Sequence, residues 1–174
     1  MNDVKRLVEP LIPALRRYAG ALLRDGDAAD DLVQDCLERA ISRWGQRRAD
    51  GDTRTWLFAI LHNLAMSRLR REARRGAHLT LESADETALS QAPDQEHRLR
   101  HGELLRAVAA LPEDQRSVLL LVSVEDLSYA ETARVLGAPV GTVMSRLSRA
   151  RERLRQAMMG ESAPVARAHL RRVK

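Results

Sequence analysis

The sequence has few aromatic residues, 3% of its 174 positions, while Ala, Leu and Arg dominate. That balance favours helices over sheets. With a single cysteine, Cys36, an intramolecular disulfide is excluded. Cys36 falls on an apolar helical stripe, which marks a buried structural thiol rather than a nucleophile. No apolar run approaches a membrane span; 118–122 is the longest of note. Pro10, Pro13 and charges throughout the N-terminal stretch are unlike a signal peptide, so no membrane insertion and a cytoplasmic location are expected. The five histidines, His62, His78, His97, His101 and His169, show no metal-site spacing. His97 and His101 stand i, i+4, but no further ligand accompanies them, so neither metal nor cofactor is expected.

What the chain does have is charge. The formal net charge is +5 and the sequence pI about 10.3, which suits an anionic partner, although acids are abundant too. Their placement says more than their sum. A helical pattern over 4–23 carries Leu7, Leu11, Leu15, Tyr18, Ala19 and Leu22 near one face, with Pro10 and Pro13 delaying its start to about Ile12. A second helix is expected from about Ala28 to Trp44. Leu32, Val33, Cys36, Leu37, Ala40, Ile41 and Trp44 form its apolar stripe. Asp30, Asp31, Gln34, Asp35 and Glu38 project outward, an acidic face on a basic protein.

After a Gly-, Asp- and Arg-rich loop over 45–53, Asp52 or Thr53 can cap a third helix with Trp56, Leu57, Ile60, Leu61 and Leu64 as its core stripe. This helix ends in Arg68, Arg70, Arg71, Arg74 and Arg75. Cations there complement the helix dipole, but five arginines in eight residues exceed a cap's needs, so a phosphate-binding face is expected. The stretch 77–96 then has five acids and no Lys or Arg. It reads as a linker between two domains, its acidity serving solubility or mimicking nucleic acid. A fourth helix over about 96–110 and a fifth opening at Pro112 follow. The tail beyond Gly160, ending HLRRVK, is expected to fray.

The most informative stretch is 127–155. Ser128 can cap a short helix, with Glu131 completing a capping box, and Ala130, Ala133 and Leu136 at helical spacing. Gly137 suits the left-handed helix end, and Pro139 a first turn. In the helix beyond, Val143, Leu147, Ala150 and Leu154 make an apolar stripe. Thr142, Ser145, Arg146, Arg149 and Arg153 occupy a different face, rich in donors. This is the pattern of a helix-turn-helix whose second helix enters a DNA major groove.

With these motifs laid out, the chain from about Leu7 to Met158 resembles an extracytoplasmic-function (ECF) sigma factor of the sigma-70 family. DAADDLVQDCLERA is similar to the region 2 helix that docks on RNA polymerase. TRTWLFAILHNLAMSRLRR resembles the segment that opens and reads the −10 element. LPEDQRSVLLL and LSYAETARVLGAPVGTVMSRLSRARERL match region 4, which reads the −35 element. The resemblance implies an all-α fold of two small helical domains joined by an acidic linker. Region 2 would occupy 1–76, the linker 77–95, region 4 with its helix-turn-helix 96–159, and a basic tail 160–174.

It also implies roles. Asp30, Asp31, Gln34, Asp35 and Glu38 would meet core RNA polymerase at the basic clamp of its largest subunit, the second-largest subunit being a further partner. Arg54, Asn63, Arg70, Arg71 and Arg74 would bind −10 DNA, Asn63 holding a flipped base in a pocket completed by 47–53. Phe58 and Trp56 are the candidates for assisting melting. Thr142, Ser145, Arg146, Arg149 and Arg153 would bind −35 DNA. Met144 departs from the family, which often has Lys or Arg there. The partners implied are core RNA polymerase, promoter DNA and an anti-sigma factor.

Two other functions fit parts of the chain. A self-sufficient transcriptional regulator would need a sensor domain, and the N-terminal half shows no βα alternation to supply one. An enzyme holding magnesium through Asp27, Asp30, Asp31 and Asp35 would need a converging carboxylate from another segment.

Overall fold

The protein is described by a computed structural model covering residues 2–46, 52–76 and 95–160. Most of the 45–53 loop, the acidic stretch 77–94 and the tail 161–174 lie outside the described residues, and with them the linker and fraying expectations. Eight α-helices and no strand are present among the described residues. The first, α1 (Asn2–Val8), leads through a 3-10 turn, Glu9–Leu11, into α2 (Ile12–Leu23). The start at Ile12 follows from the prolines: Pro13 sits in the first helical turn, where its missing amide leaves no bond unmade. The turn also changes the helical phase, so Leu7 is 45% exposed and drops off the core face while Val8 is buried.

Arg24 closes α2 in the left-handed conformation, and the Asp25 side chain accepts from the Ala28 amide at 2.9 Å to open α3 (Gly26–Ser42). Leu32, Val33, Cys36 and Ala40 are buried as the periodicity predicts. Ile41 is not. It lies about 140° round the helix from Cys36 and is 60% exposed. Trp44 falls beyond the helix in a 3-10 turn, Trp44–Gln46, half-buried against Trp56 at 6.0 Å between ring centroids. Asp52, rather than Thr53, caps α4 (Thr53–Arg74), accepting from the amides of Arg54 and Thr55. Leu57, Phe58, Leu61, Leu64 and Ala65 then face α2 and α3. Phe58 meets Tyr18 edge-to-face at 5.5 Å.

The second group comprises α5 (Gln95–Ala109), α6 (Glu113–Ser123), α7 (Tyr129–Leu136) and α8 (Val140–Gly160). Leu111, Val118, Leu119, Ala133, Val143, Leu147 and Ala150 form its own core. The sequence leaves open whether the two groups touch. They do: Leu120, Leu121, Leu127 and Val135 join the core of the first group, with α6 against α2 and α7 against α4.

Polar groups tie the same seam. Arg116, 2% exposed, donates to the carbonyl oxygens of Ala109 at 2.8 Å and Leu22 at 3.2 Å. Glu125, 1% exposed in the α6–α7 loop, is gripped by Arg17 at 3.3 and 3.1 Å. Arg54 approaches the same carboxylate at 3.7 Å and donates to the Glu125 carbonyl oxygen. A carboxylate this deeply buried needs such partners, since its desolvation costs several kcal/mol.

Candidate nucleic-acid and partner interfaces

Once α3 buries its apolar stripe, its opposite face is set. Asp30, Asp31, Gln34, Asp35 and Glu38 are all exposed there, so the five predicted residues are brought together. Asp30 pairs with Arg16 at 3.0 Å, both side chains 61% exposed, a pair that water screens heavily. The Gln34 amide donates to Glu38 at 3.3 Å. Asp31 and Asp35 make no ion pair among the described residues.

On α4 the predicted set divides. Asn63, Arg70 and Arg74 follow i, i+7, i+11 along one exposed ridge, with Arg71 exposed beside it. Arg54 lies half a turn round the helix from Asn63, tied to Glu125 and placed 5.8 Å over the buried Phe58 ring. Its position at the seam separates it from the ridge, contrary to the sequence grouping. Arg68 is also withdrawn from the arginine face: it donates to Glu72 at 3.0 Å and to the Ala28 carbonyl at 3.4 Å. Phe58 has no exposed surface, so it serves the core and cannot stack on a base.

In the helix-turn-helix the local chemistry matches the sequence closely. Ser128 accepts from the Glu131 amide at 3.2 Å while the Glu131 carboxylate accepts from the Ser128 amide at 2.7 Å. The Ser128 hydroxyl, donating to the same carboxylate at 2.6 Å, and then the Ser128 amide hold the Glu131 carboxyl below its ordinary range. Gly137 ends α7 at φ 59°, the left-handed region that a Cβ would strain. On α8, Val143, Leu147 and Ala150 are buried. Ala130, by contrast, is exposed on α7. Thr142, Ser145, Arg146, Arg149 and Arg153 gather on the outer side of α8. Ser145, Arg149 and Arg153 are exposed, and Thr142 and Arg146 half-buried. Arg146 is shared with Asp114 of α6 at 3.2 Å.

His62, buried on α4, shares a 2.9 Å hydrogen bond between its Nδ1 and the Tyr18 hydroxyl. Burial pushes its pKa down to about 4, and the charges of Arg146 and Arg70 push the same way. Cys36, buried with its thiol on the Leu57 carbonyl at 3.6 Å, has its pKa pushed up to about 12, mainly by burial. That makes it an inert thiol at neutral pH. The seam residues Arg17, Arg116 and Glu125 escape sequence reasoning. No pattern marks even Arg116, which lies two residues ahead of the apolar run 118–122.

Comparison with known proteins agrees with this arrangement. Residues 8–62 match the sigma2 domain of PhyR, and residues 101–154 match sigma-70 region 4. The ECF RNA polymerase sigma factor EcfG of Rhodopseudomonas palustris is 38% identical over 146 residues, covering 82% of this chain and 78% of that protein. The ECF RNA polymerase sigma factor SigC of Mycobacterium tuberculosis is 36% identical over 144 residues, covering 77% and 72%. The sigma factor RpoE of Bartonella quintana, solved in complex with the anti-sigma factor NepR, superposes with a TM-score of 0.77 at 32% identity. That match covers 94% of this chain and all of the other. No helix among the described residues is long and apolar enough to cross a membrane. With the helix-turn-helix inside the region 4 match and relatives aligned across both helical groups, the chain belongs to the ECF sigma factors of the sigma-70 family, alternative RNA polymerase subunits that direct promoter recognition and transcription initiation.

Proposed function

We propose that three faces of the chain divide the work of initiation. The acidic face of α3, Asp30, Asp31, Gln34, Asp35 and Glu38, docks on core RNA polymerase through its largest subunit, with the second-largest subunit a further contact. The α4 ridge, Asn63 with Arg70, Arg71 and Arg74, binds −10 DNA, Asn63 holding an extruded base. Thr142, Ser145, Arg146, Arg149 and Arg153 of α8 read the −35 element. Residues 1–76 then act as region 2, 77–95 as linker, 96–159 as region 4 and 160–174 as a basic tail. The chain works in the cytoplasm as a binding subunit, without catalysis or cofactor of its own.

The observation that carries this reading is the acidic face. Asp31 and Asp35 repel one another by a few tenths of a kcal/mol at i, i+4 and gain no ion pair among the described residues. A basic surface on a partner is what such an exposed face fits.

The packed arrangement must open for this to work. Elements named −35 and −10 lie roughly 25 base pairs apart, about 85 Å of duplex at 3.4 Å per pair. A compact chain of 174 residues is only about 40 Å across. Arg54 and Arg17 would exchange Glu125 for solvent or DNA on opening. An anti-sigma factor, like the one bound to the Bartonella quintana relative, would hold the chain away from polymerase.

The test is retention on immobilised core polymerase followed by run-off transcription. Retention and promoter-dependent transcripts are expected. A chain that shifts promoter DNA unaided and is not retained by core polymerase would be a self-sufficient regulator instead.

A further inference from the structure

Glu125 is the one buried carboxylate among the described residues. Its loop is firmly held: the Glu125 amide donates to the Leu120 carbonyl and the Leu127 amide to the Leu121 carbonyl, both at 2.9 Å. Between them Asp126 turns at φ 50°, in the left-handed region that aspartate tolerates better than most residues. What the loop offers to α2 and α4 is a single anion in front of two guanidinium groups. Arg17 meets it as a fork, Nε to one carboxylate oxygen at 3.3 Å and Nη2 to the other at 3.1 Å. Arg54 reaches the second oxygen at 3.7 Å. Neither arginine has another ion-pair partner among the described residues. Two cations against one carboxylate leave this spot net positive even when it is filled, and the Arg17 side chain stays 57% exposed.

We propose that Arg17 and Arg54 form an anion site for the DNA backbone, and that Glu125 is its internal occupant, filling the place a promoter phosphate takes in the open chain. The inference rests on the reading that region 2 lies on promoter DNA once the two helical groups part, and it adds Arg17, which no sequence motif marks. A guanidinium fork takes two oxygens of a phosphate as it takes two of a carboxylate. When the seam opens Glu125 leaves, and the two arginines stand near one another with no acid to neutralise them. Successive phosphates of one strand suit that pair better than a lone acidic side chain does, because each guanidinium then has an anion of its own. The site is separate from the α4 ridge: Arg54 stands nine residues from Asn63, about 14 Å along the axis and on the opposite side. It therefore holds a different phosphate from those the ridge holds. Closure and DNA binding here exclude one another, since the same two groups cannot serve both anions.

The test uses holoenzyme reconstituted from core polymerase and the full chain. Promoter affinity is measured against salt, and each backbone phosphate is neutralised singly by methylphosphonate. Arg17→Ala should lower the slope of log affinity on log salt by about one, alike for all sequences. One methylphosphonate that weakens wild type should leave Arg17→Ala unaffected, and it should not be a position that Arg70→Ala silences. Glu125→Gln should keep the wild-type slope, because it removes only the internal competitor. Arg17→Ala combined with Glu125→Gln strands no buried acid, so it should show the same loss as Arg17→Ala without the folding cost. A full wild-type slope and interference map in both Arg17 variants would overturn the inference and leave Arg17 a seam residue. A loss of equal size in Glu125→Gln alone would also overturn it. Weaker retention of Arg17→Ala on core polymerase, with the promoter slope unchanged, would overturn it in favour of an acidic protein surface. If Arg70→Ala lowers the slope and Arg17→Ala does not, this site alone fails. If neither does, region 2 does not hold promoter DNA and both readings fall.

Discussion

α3 and α8 are built alike and charged oppositely, and the way each treats its charges differs. Both bury one apolar stripe and expose a polar face. On α8 much of the polar face is engaged within the protein: Arg146 with Asp114, Arg155 with Glu152, Arg149 with the Ser145 carbonyl. On α3 the acids stand nearly alone, Asp30 having one exposed partner and Asp31 and Asp35 none among the described residues. A face whose charges are matched internally is tolerable in the free chain. A face of unmatched like charge is a small folding cost that a partner removes, so α3 is the better guide to an obligatory partner.

The largest effect should come from reversing that face. Asp31→Arg with Asp35→Arg should abolish retention on core polymerase, because close charge pairs across an interface couple by about 1.5 kcal/mol or more each. Both side chains are exposed and off the buried Leu32, Val33 and Cys36 stripe, so circular dichroism should be unchanged. Binding as tight as wild type would make the α3 face mere solvated surface and remove the contrast with α8.

Next in size is the seam, where a buried acid meets cations of the other helical group. Arg17→Ala leaves Glu125 buried with Arg54 alone. The expected loss is about 2–3 kcal/mol in denaturant unfolding, short of the 3–5 for a fully buried pair because Arg17 is half in water. Glu125→Gln keeps the shape and removes the charge, so it should cost less than Arg17→Ala. The reverse order would mean that the arginines, not the acid, are the strained members.

These residues show where sequence reasoning reaches and where it stops. The helix-turn-helix was readable because its signals are local: Ser128 to Glu131 and Gly137 act within four residues, and the Val143–Leu147–Ala150 stripe within two turns. The acidic face of α3 follows from the same periodicity. The seam does not, because Arg17 and Glu125 are 108 residues apart and no pattern pairs a loop acid with a helix cation. Arg54 shows the consequence. The resemblance groups it with the −10 contacts, whereas in the packed arrangement it lies against Glu125. Ile41 fails for a humbler reason: it sits about 140° round α3 from Cys36, off the buried stripe.

Within α8 the contrast can be sharpened by two substitutions. Arg149 is exposed and holds only its own helix's carbonyl, while Arg146 is half-buried on Asp114. Arg149→Ala should cost holoenzyme about 1–3 kcal/mol at the −35 element and relax preference at one base pair. Arg146→Ala should cost less, since binding DNA through Arg146 first requires its release from Asp114. Equal losses for all sequences would show that Arg149 touches phosphate alone.

The smallest effect is a pH dependence that reports how far His62 is kept from water. His62 has its pKa pushed down to about 4 by burial first and by Arg146 and Arg70 second, against about 6.5 in an unfolded chain. Between those values the unfolded state binds a proton that the folded state refuses, so stability rises with pH there. The stabilisation from neutral His62 is therefore complete above about pH 6.5 and is lost as pH falls toward 4. From pH 7 to 5.5 the loss should be about 1 kcal/mol, read as a fall in the denaturant midpoint. The carboxyls held low by their hydrogen bonds, Asp52 and Glu131, titrate beneath this window and leave it undisturbed. His62→Gln can keep the bond to the Tyr18 hydroxyl without taking a proton, and its profile should be flat over the same range. Arg146→Ala removes one repelling charge, so the folded-state pKa of His62 should rise slightly toward 6.5 and the total loss on acidification should shrink. A wild-type profile as flat as that of His62→Gln would mean that the histidine is reached by water in solution.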